Sequence, residues 1–382
     1  MRIIFYFRAE ILKDKGTPLR CRNLVRELEA RSDIDLLLIS ADSSTSIRQA
    51  LGVEHRSSRS KTPAEAREQL WAVIEEHKAD VVYGRFGKPA AVRRLTRPAA
   101  TAQPRFVADV HGVRAFEKLE HYWEPYSRRI VRYLKARAGE FSQFEYMDGL
   151  TVVSGALQDR MARLGKPIKV LWGGVDPGHF RPAGDPPPGP TRIIYAGNYA
   201  PYQGVATLAA VGRRLIERGL PYHFTLVGEI DRIPGVRQQM EELLGGNLTI
   251  LGPVPNGEIQ GLLSTAHNLT IPRLDNRTAR FGFPSKLPEY LAMGRPVVAT
   301  DVGEHARVIQ DGKTGLIIPA ENEEELEAAL IRLGDPDERN CLGSAARSFA
   351  KQELTWPAIS DQLLEFLSLV IETPRTRGQS DG

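Results

Sequence analysis

Long apolar runs are what this chain most plainly lacks. No window of its 382 residues approaches the ~18 consecutive apolar residues that a membrane-spanning helix needs. Cysteine is nearly absent as well: Cys21 and Cys341 are too few and too far apart for a disulfide framework or a metal site. The opening Met1-Arg2-Ile3-Ile4-Phe5-Tyr6-Phe7-Arg8 is apolar only briefly and is followed by Glu10, Lys13 and Asp14, so it reads as a short strand and not a signal peptide. The cytosol is the compartment to expect. No helix-turn-helix, zinc or RNP-type pattern accompanies the basic residues, which argues against nucleic acid. No Asp-x-Asp pair suited to Mg²⁺ is apparent, and no cofactor is called for.

What is there is ordinary globular composition, 42% hydrophobic and 26% charged, which supports two domains of the usual ~100–200 residues each. The net charge of +4 is unevenly spread. Residues 1–175 hold 31 basic and 21 acidic side chains, a surplus of +10, and residues 176–382 carry −6. A basic half either meets something anionic or carries solvated arginines, and composition leaves both open.

Apolar runs at 3–7, 36–39, 81–83, 106–110 and 151–153 predict strands. Between them lie amphipathic stretches, the first with Cys21, Leu24, Val25 and Leu28 at i, i+3, i+4 and i+7. Strand–helix alternation predicts βαβ units and a parallel sheet. Gly173-Gly174-Val175-Asp176, Phe180-Arg181-Pro182 and the Pro-rich 185–190 interrupt it as a linker. Strands are then predicted at 192–196, 224–227, 248–251, 269–271, 296–299 and 316–318, and Asn322 before three glutamates predicts a capped helix. The expected fold is α/β, two Rossmann-like doubly wound domains over 1–175 and 176–354 facing a central cleft, with ligands at the strands' carboxyl ends.

The most informative block runs from Phe281-Gly282-Phe283-Pro284-Ser285-Lys286-Leu287-Pro288-Glu289-Tyr290 to Gly294-Arg295-Pro296-Val297-Val298-Ala299-Thr300. Ser285 is placed to cap a helix with Pro288 in its first turn and Gly294 at its end. Free amides near 285–287, with Lys286, would make an anion site, and Glu289 could accept from vicinal hydroxyls such as a ribose. An ordinary capped helix with a solvated Lys and Glu fits the same residues. A second stretch, 126–137, puts Arg128, Arg129, Arg132, Lys135 and Arg137 among Ile130, Val131, Tyr133 and Leu134. It reads as a basic amphipathic helix for an anionic membrane, or as a solvated surface helix.

The block resembles the donor-nucleotide signature of retaining GT-B glycosyltransferases, glycosyltransferase family 4 (glycosyl transferases group 1). The likeness continues through Gly16, the 173–182 linker, Tyr195-Ala196-Gly197-Asn198 and Trp356, and so implies a last helix, about 355–372, crossing back onto the first domain. It implies an enzyme moving a sugar from a UDP- or GDP-sugar to a hydroxyl acceptor with retention and without metal, in cell-surface polysaccharide or glycolipid synthesis. The enzyme would be cytoplasmic or peripheral on the inner membrane face. Carried over by position, Glu289 binds the ribose, and Ser285 and Lys286 hold the pyrophosphate. Val254 lies nearest the base, and Gly16, Gly197, Asn198 and Gln203 line the donor. His111 contacts the transferred sugar, with Asp109 as the partner that orients its ring or as a nucleophile. Asn198 and Gln203 stand where the family commonly has an Arg and a Lys, and Phe281 where it has a first Glu. Lys286 then becomes the main remaining cation, with Arg280 and Arg277 behind it. The alternatives are a sugar-nucleotide epimerase of the same fold and a non-catalytic sugar-nucleotide-binding subunit.

Overall fold

The computed structural model describes residues 1–7, 9–13, 16–58, 63–86, 104–120, 124–142 and 144–375. The chain divides into two compact units: Met1–Ala115, Ile130–Trp172 and Trp356–Gly382 in one, Phe116–Arg129 and Gly173–Thr355 in the other.

The first unit is built on a parallel sheet in the order β3-β2-β1-β4-β5-β6-β7. Its strands are β1 (Arg2–Phe7), β2 (Asp35–Ser40), β3 (Glu54–Ser57), β4 (Val81–Arg85), β5 (Arg105–Val110), β6 (Gly149–Val152) and β7 (Ile168–Val170). β1, β2 and β5 are buried along nearly their whole length, as a sheet covered on both faces requires. The two strands that apolar runs do not announce, β3 and β7, are the two sheet edges. One is Glu-His-Arg-Ser and the other only three residues long, so neither carries a hydrophobic signal. The C-terminal helix Trp356–Glu372 sends Ile359, Leu363, Leu367 and Val370 into the same core as Ile3, Phe5, Leu24 and Leu28.

The second unit repeats the plan with β8 (Thr191–Ala196), β9 (Tyr222–Val227), β10 (Leu248–Leu251), β11 (Asn268–Ile271), β12 (Val297–Thr300) and β13 (Leu316–Ile318). All pair in parallel, in the order β10-β9-β8-β11-β12-β13. Asn322 caps the helix Glu323–Arg332 by accepting from the Glu325 amide, and Leu326 and Leu330 are buried beneath it. Among the described residues no helix is long and apolar enough to cross a membrane.

Candidate functional site

In each sheet the strand order reverses beside the first strand, and such a reversal opens a crevice at the carboxyl ends. In the second unit it lies between β8 and β11. Residues 197–204 cross it, locked by close backbone approach. A Cβ on Gly204, at φ +72°, would lie 1.6 Å from the Pro272 carbonyl oxygen, and one on Gly228 would lie 2.1 Å from that of Gly197. Asn198 shapes this loop: its side chain accepts from the Ala200 amide at 3.2 Å and its carbonyl accepts from the Tyr195 hydroxyl at 2.5 Å. Gln203 is buried.

Against this loop sits the helix Lys286–Ala292, with Pro288 in its first turn and Gly294 just past its end at φ +62°. Ser285 does not cap it. Ser285 is exposed, has helical backbone angles and makes no side-chain cap bond. Of the free amides that the pattern suggests at the helix start, the Leu287 amide is taken by the Pro284 carbonyl at 3.0 Å. Charge comes instead from Lys286. Its ammonium lies 3.8 Å from the centre of the Tyr195 ring and 2.4 Å from where a Gly197 Cβ would be, sequestered from solvent and without a hydrogen-bond partner. Burial, reinforced by Arg273, pushes its pKa well down. One turn along, burial pushes the Glu289 carboxyl up to about 7 against the opposing pull of Lys286. The two make no ion pair, and among the described residues Glu289 has no partner. A cation and a carboxylate are thus both held ready and both unsatisfied. Val254 is half-buried after edge strand β10, two strands from β8.

The expected reserve cations are engaged elsewhere. Arg280 is paired with Asp275, and Arg277 lies over the Phe116 ring at 5.4 Å. Phe281, where the resemblance implies a carboxylate in the family, stacks on Phe116 at 5.6 Å. The cation that does lie beside Lys286 is Arg273, two residues after β11, which no sequence motif marks. Asn198 and Tyr202 also line a cavity of about 330 Å³ whose other walls include Glu117, Glu120 and Glu229. Arg232 lines it too and pairs with Glu229 at 3.2 Å.

In the first unit the reversal lies between β1 and β4. Gly16 opens the helix Gly16–Glu29 at φ +49°, and Thr17 and Arg85 meet there, Arg85 Nη1 donating to Thr17 Oγ1 at 2.9 Å. Thr17 Oγ1 is 3.2 Å from His111 Nδ1, and His111 Nε2 is 2.5 Å from Asp109 Oδ2. Asp109 is enclosed, with Thr151 donating to Oδ1 at 2.8 Å and Arg20 Nε 3.6 Å from Oδ2. Burial alone would raise its pKa, but His111, Arg20 and Thr151 outweigh it and hold the carboxyl well below the usual range. Burial brings His111 down to about 4 despite Asp109, so the ring is neutral near pH 7. The ionised carboxylate takes Nε2–H, which fixes the tautomer and leaves Nδ1 as the acceptor.

The basic stretch forms the helix Tyr126–Ala138, with no residue fully buried. Tyr126, Val131 and Leu134 are exposed at 67, 49 and 58%, and Arg128, Arg132 and Lys135 are exposed beside them. Arg129 is turned inward and donates to the Leu119 carbonyl.

Residues 15–179 match the family model Glycosyltransferase Family 4, and residues 190–335 match Glycosyl transferases group 1. A phosphatidyl-myo-inositol mannosyltransferase of Mycolicibacterium smegmatis is 28% identical over 216 residues, 55% of this chain and 54% of that protein, so the chain spans about half its length. The putative colanic acid biosynthesis glycosyltransferase WcaL of Salmonella typhimurium is 23% identical over 78% of this chain and 72% of its own. Among solved structures, sucrose-phosphate synthase of Thermosynechococcus elongatus superposes with a TM-score of 0.74 at 17% identity, covering 97% of this chain and 98% of that one. A glycosyltransferase of Rickettsia africae gives 0.73 at 17%, covering 98 and 99%. With both halves matched in order and two parallel-sheet units of this topology, the chain belongs to the group 1, family 4 glycosyltransferases of GT-B fold.

Proposed function

We propose that the protein transfers a sugar from a nucleotide diphosphate donor to a hydroxyl acceptor with retention and without a metal, in glycan or glycolipid synthesis. The observation that carries this reading is the Lys286–Glu289 pair: a buried ammonium and a raised carboxyl one turn apart, unpaired with each other, as a diphosphate and a ribose diol would require. One solved relative in fold, HepE of Anabaena, was crystallised with UDP and glucose.

Retention needs either a carboxylate nucleophile or same-face attack within an ion pair. Asp109 is a poor nucleophile, since both its oxygens are engaged and its side chain is 1% exposed. Same-face attack follows: the departing diphosphate takes the acceptor hydroxyl's proton, and the buried cations stabilise its charge. A neutral His111, oriented by Asp109, accepts a hydroxyl of the transferred sugar at Nδ1 where Thr17 now lies. The exposed apolar and cationic side chains of Tyr126–Ala138 suit an acceptor presented at an anionic bilayer.

Labelled UDP-, GDP- and ADP-sugars incubated with the protein and a membrane extract test the reading. Label moving to an acceptor with its anomeric configuration kept is the expected result. Free epimerised nucleotide without acceptor would mean an epimerase, and tight binding without turnover would mean a binding subunit.

A further inference from the structure

Asn198 and Gln203 bring no charge to the 197–204 loop, yet the crevice is not short of positive charge. Arg273 stands at the β8/β11 reversal, only 8% exposed. Its backbone is pinned twice over: Thr300 Oγ1 donates to its carbonyl at 2.8 Å, and the preceding Pro272 carbonyl abuts Gly204. Its Nε donates to Gln203 Oε1 at 3.4 Å. Among the described residues its two Nη atoms make no hydrogen bond and it has no ion pair. Lys286, the other cation of the crevice, is without a hydrogen-bond partner and close enough to feel the charge of Arg273. Glu289, the acid whose charge acts on Lys286, makes an ion pair with neither. Two like charges enclosed together without a paired anion is an arrangement proteins avoid unless a ligand supplies the counter-charge.

We propose that Arg273 is a second diphosphate-binding residue, sharing the leaving group with Lys286, and that Gln203 positions it. The proposal rests on the nucleotide-donor reading above. A neutral amide at 203 takes the guanidinium's Nε and leaves the planar pair of NH₂ groups for phosphate oxygens, the geometry in which arginine binds best. A lysine at 203 would instead add a third cation and repel Arg273.

Titration calorimetry of the full chain with inorganic pyrophosphate, UDP, GDP and ADP tests this. The wild type should bind pyrophosphate and at least one nucleotide. Arg273→Gln should weaken both by at least about tenfold, the effect of losing a hydrogen bond to a charged group. Arg273→Lys should recover part of the loss, and Gln203→Glu, which pairs with Arg273 and quenches it, should weaken binding more than Gln203→Ala. Circular dichroism melting reports whether each variant folds. Should Arg273→Gln misfold, the two substitutions of Gln203 still decide: equal affinities of the Gln203→Glu and Gln203→Ala variants would overturn the proposal. So would wild-type affinity in a folded Arg273→Gln, which leaves the donor reading standing. If no nucleotide binds the wild type, donor reading and proposal fall together.

Discussion

Replacing Glu289 by Gln should make the unliganded protein more stable and the donor-bound protein weaker, and the two effects have separable sizes. Burial moves the Glu289 pKa from its ordinary 4.5 to about 7. The folded state therefore holds this proton more tightly than the unfolded chain does. The penalty is absent below the unfolded pKa, grows as pH rises from 4.5 to 7, and is complete above 7. A shift of this size, at about 1.36 kcal/mol per unit, is roughly 3 kcal/mol of destabilisation at pH 8. That figure is a ceiling, because the residue is only half-buried and solvent screens part of the effect. Glutamine keeps the shape and never ionises. At pH 8 Glu289→Gln should then raise the melting temperature of the second unit by up to roughly 6–12 °C, and by little at pH 5. Donor affinity should fall by about 1.5–3 kcal/mol, because a charged acceptor of ribose hydroxyls is gone. Wild-type donor affinity should likewise decline as pH drops below 7. Differential scanning calorimetry at both pH values, with donor titrations alongside, measures each effect. A melting difference between variant and wild type that is the same at pH 5 and pH 8 would refute the reasoning, as would unchanged donor affinity in the variant.

Four further outcomes are expected. Lys286→Ala should lower turnover more than Gln203→Ala, and the opposite order in matched kinetics would move the leaving-group contact to Gln203 or the backbone. Gly197→Ala places a Cβ 2.4 Å from Lys286 Nζ at a backbone φ of +156°, so it should displace the ammonium; titration of the folded variant below its melting point should show donor affinity down by about tenfold or more. His111→Ala should cut turnover strongly and donor affinity little, whereas Asp109→Asn should slow the reaction without changing the product's anomeric configuration; a sugar trapped covalently on Asp109 in mass spectrometry would contradict both. Vesicle co-sedimentation should rise with anionic lipid, fall with salt and weaken in an Arg128, Arg132, Lys135 triple Ala variant, and binding indifferent to salt and lipid charge would remove the membrane role.

The parts of the fold that can be read from sequence are those whose signal is local. β1, β2, β5, β9, β11 and β12 declare themselves as apolar runs because both sheet faces are covered. β3 and β7 stay silent because one is Glu-His-Arg-Ser and the other only three residues long, whereas β10 and β13, also sheet edges, are apolar enough to be read. Asp109 and His111 are legible for the same reason as their strand: period-two spacing puts them on one side, and the 2.5 Å contact follows. Ser285 misleads because a capping residue type is not a cap without extended backbone angles, and its φ of −57° and ψ of −27° are helical. Arg273 is invisible because its meaning is non-local. Gln203 is 70 residues away and Thr300 27 away, and only the strand order brings them together. A lone cation directly after a buried strand, at the point where strand order reverses, is the signal that finds it.

The C-terminal helix Trp356–Glu372 completes the core that Ile3 and Phe5 begin. During synthesis that has a consequence for timing. The second unit is almost contiguous: its sheet ends at Ile318, the helices that follow close its core with Leu326, Leu330 and Leu342, and all of it precedes the last helix. The first unit, made first, must wait with Leu24 and Leu28 uncovered until Leu367 and Val370 have emerged. A nascent chain released through Thr355 but not yet through Val370 would carry a complete second unit behind an unfinished, sticky first one, and chaperones would be expected to hold the older end of the chain and not the newer one.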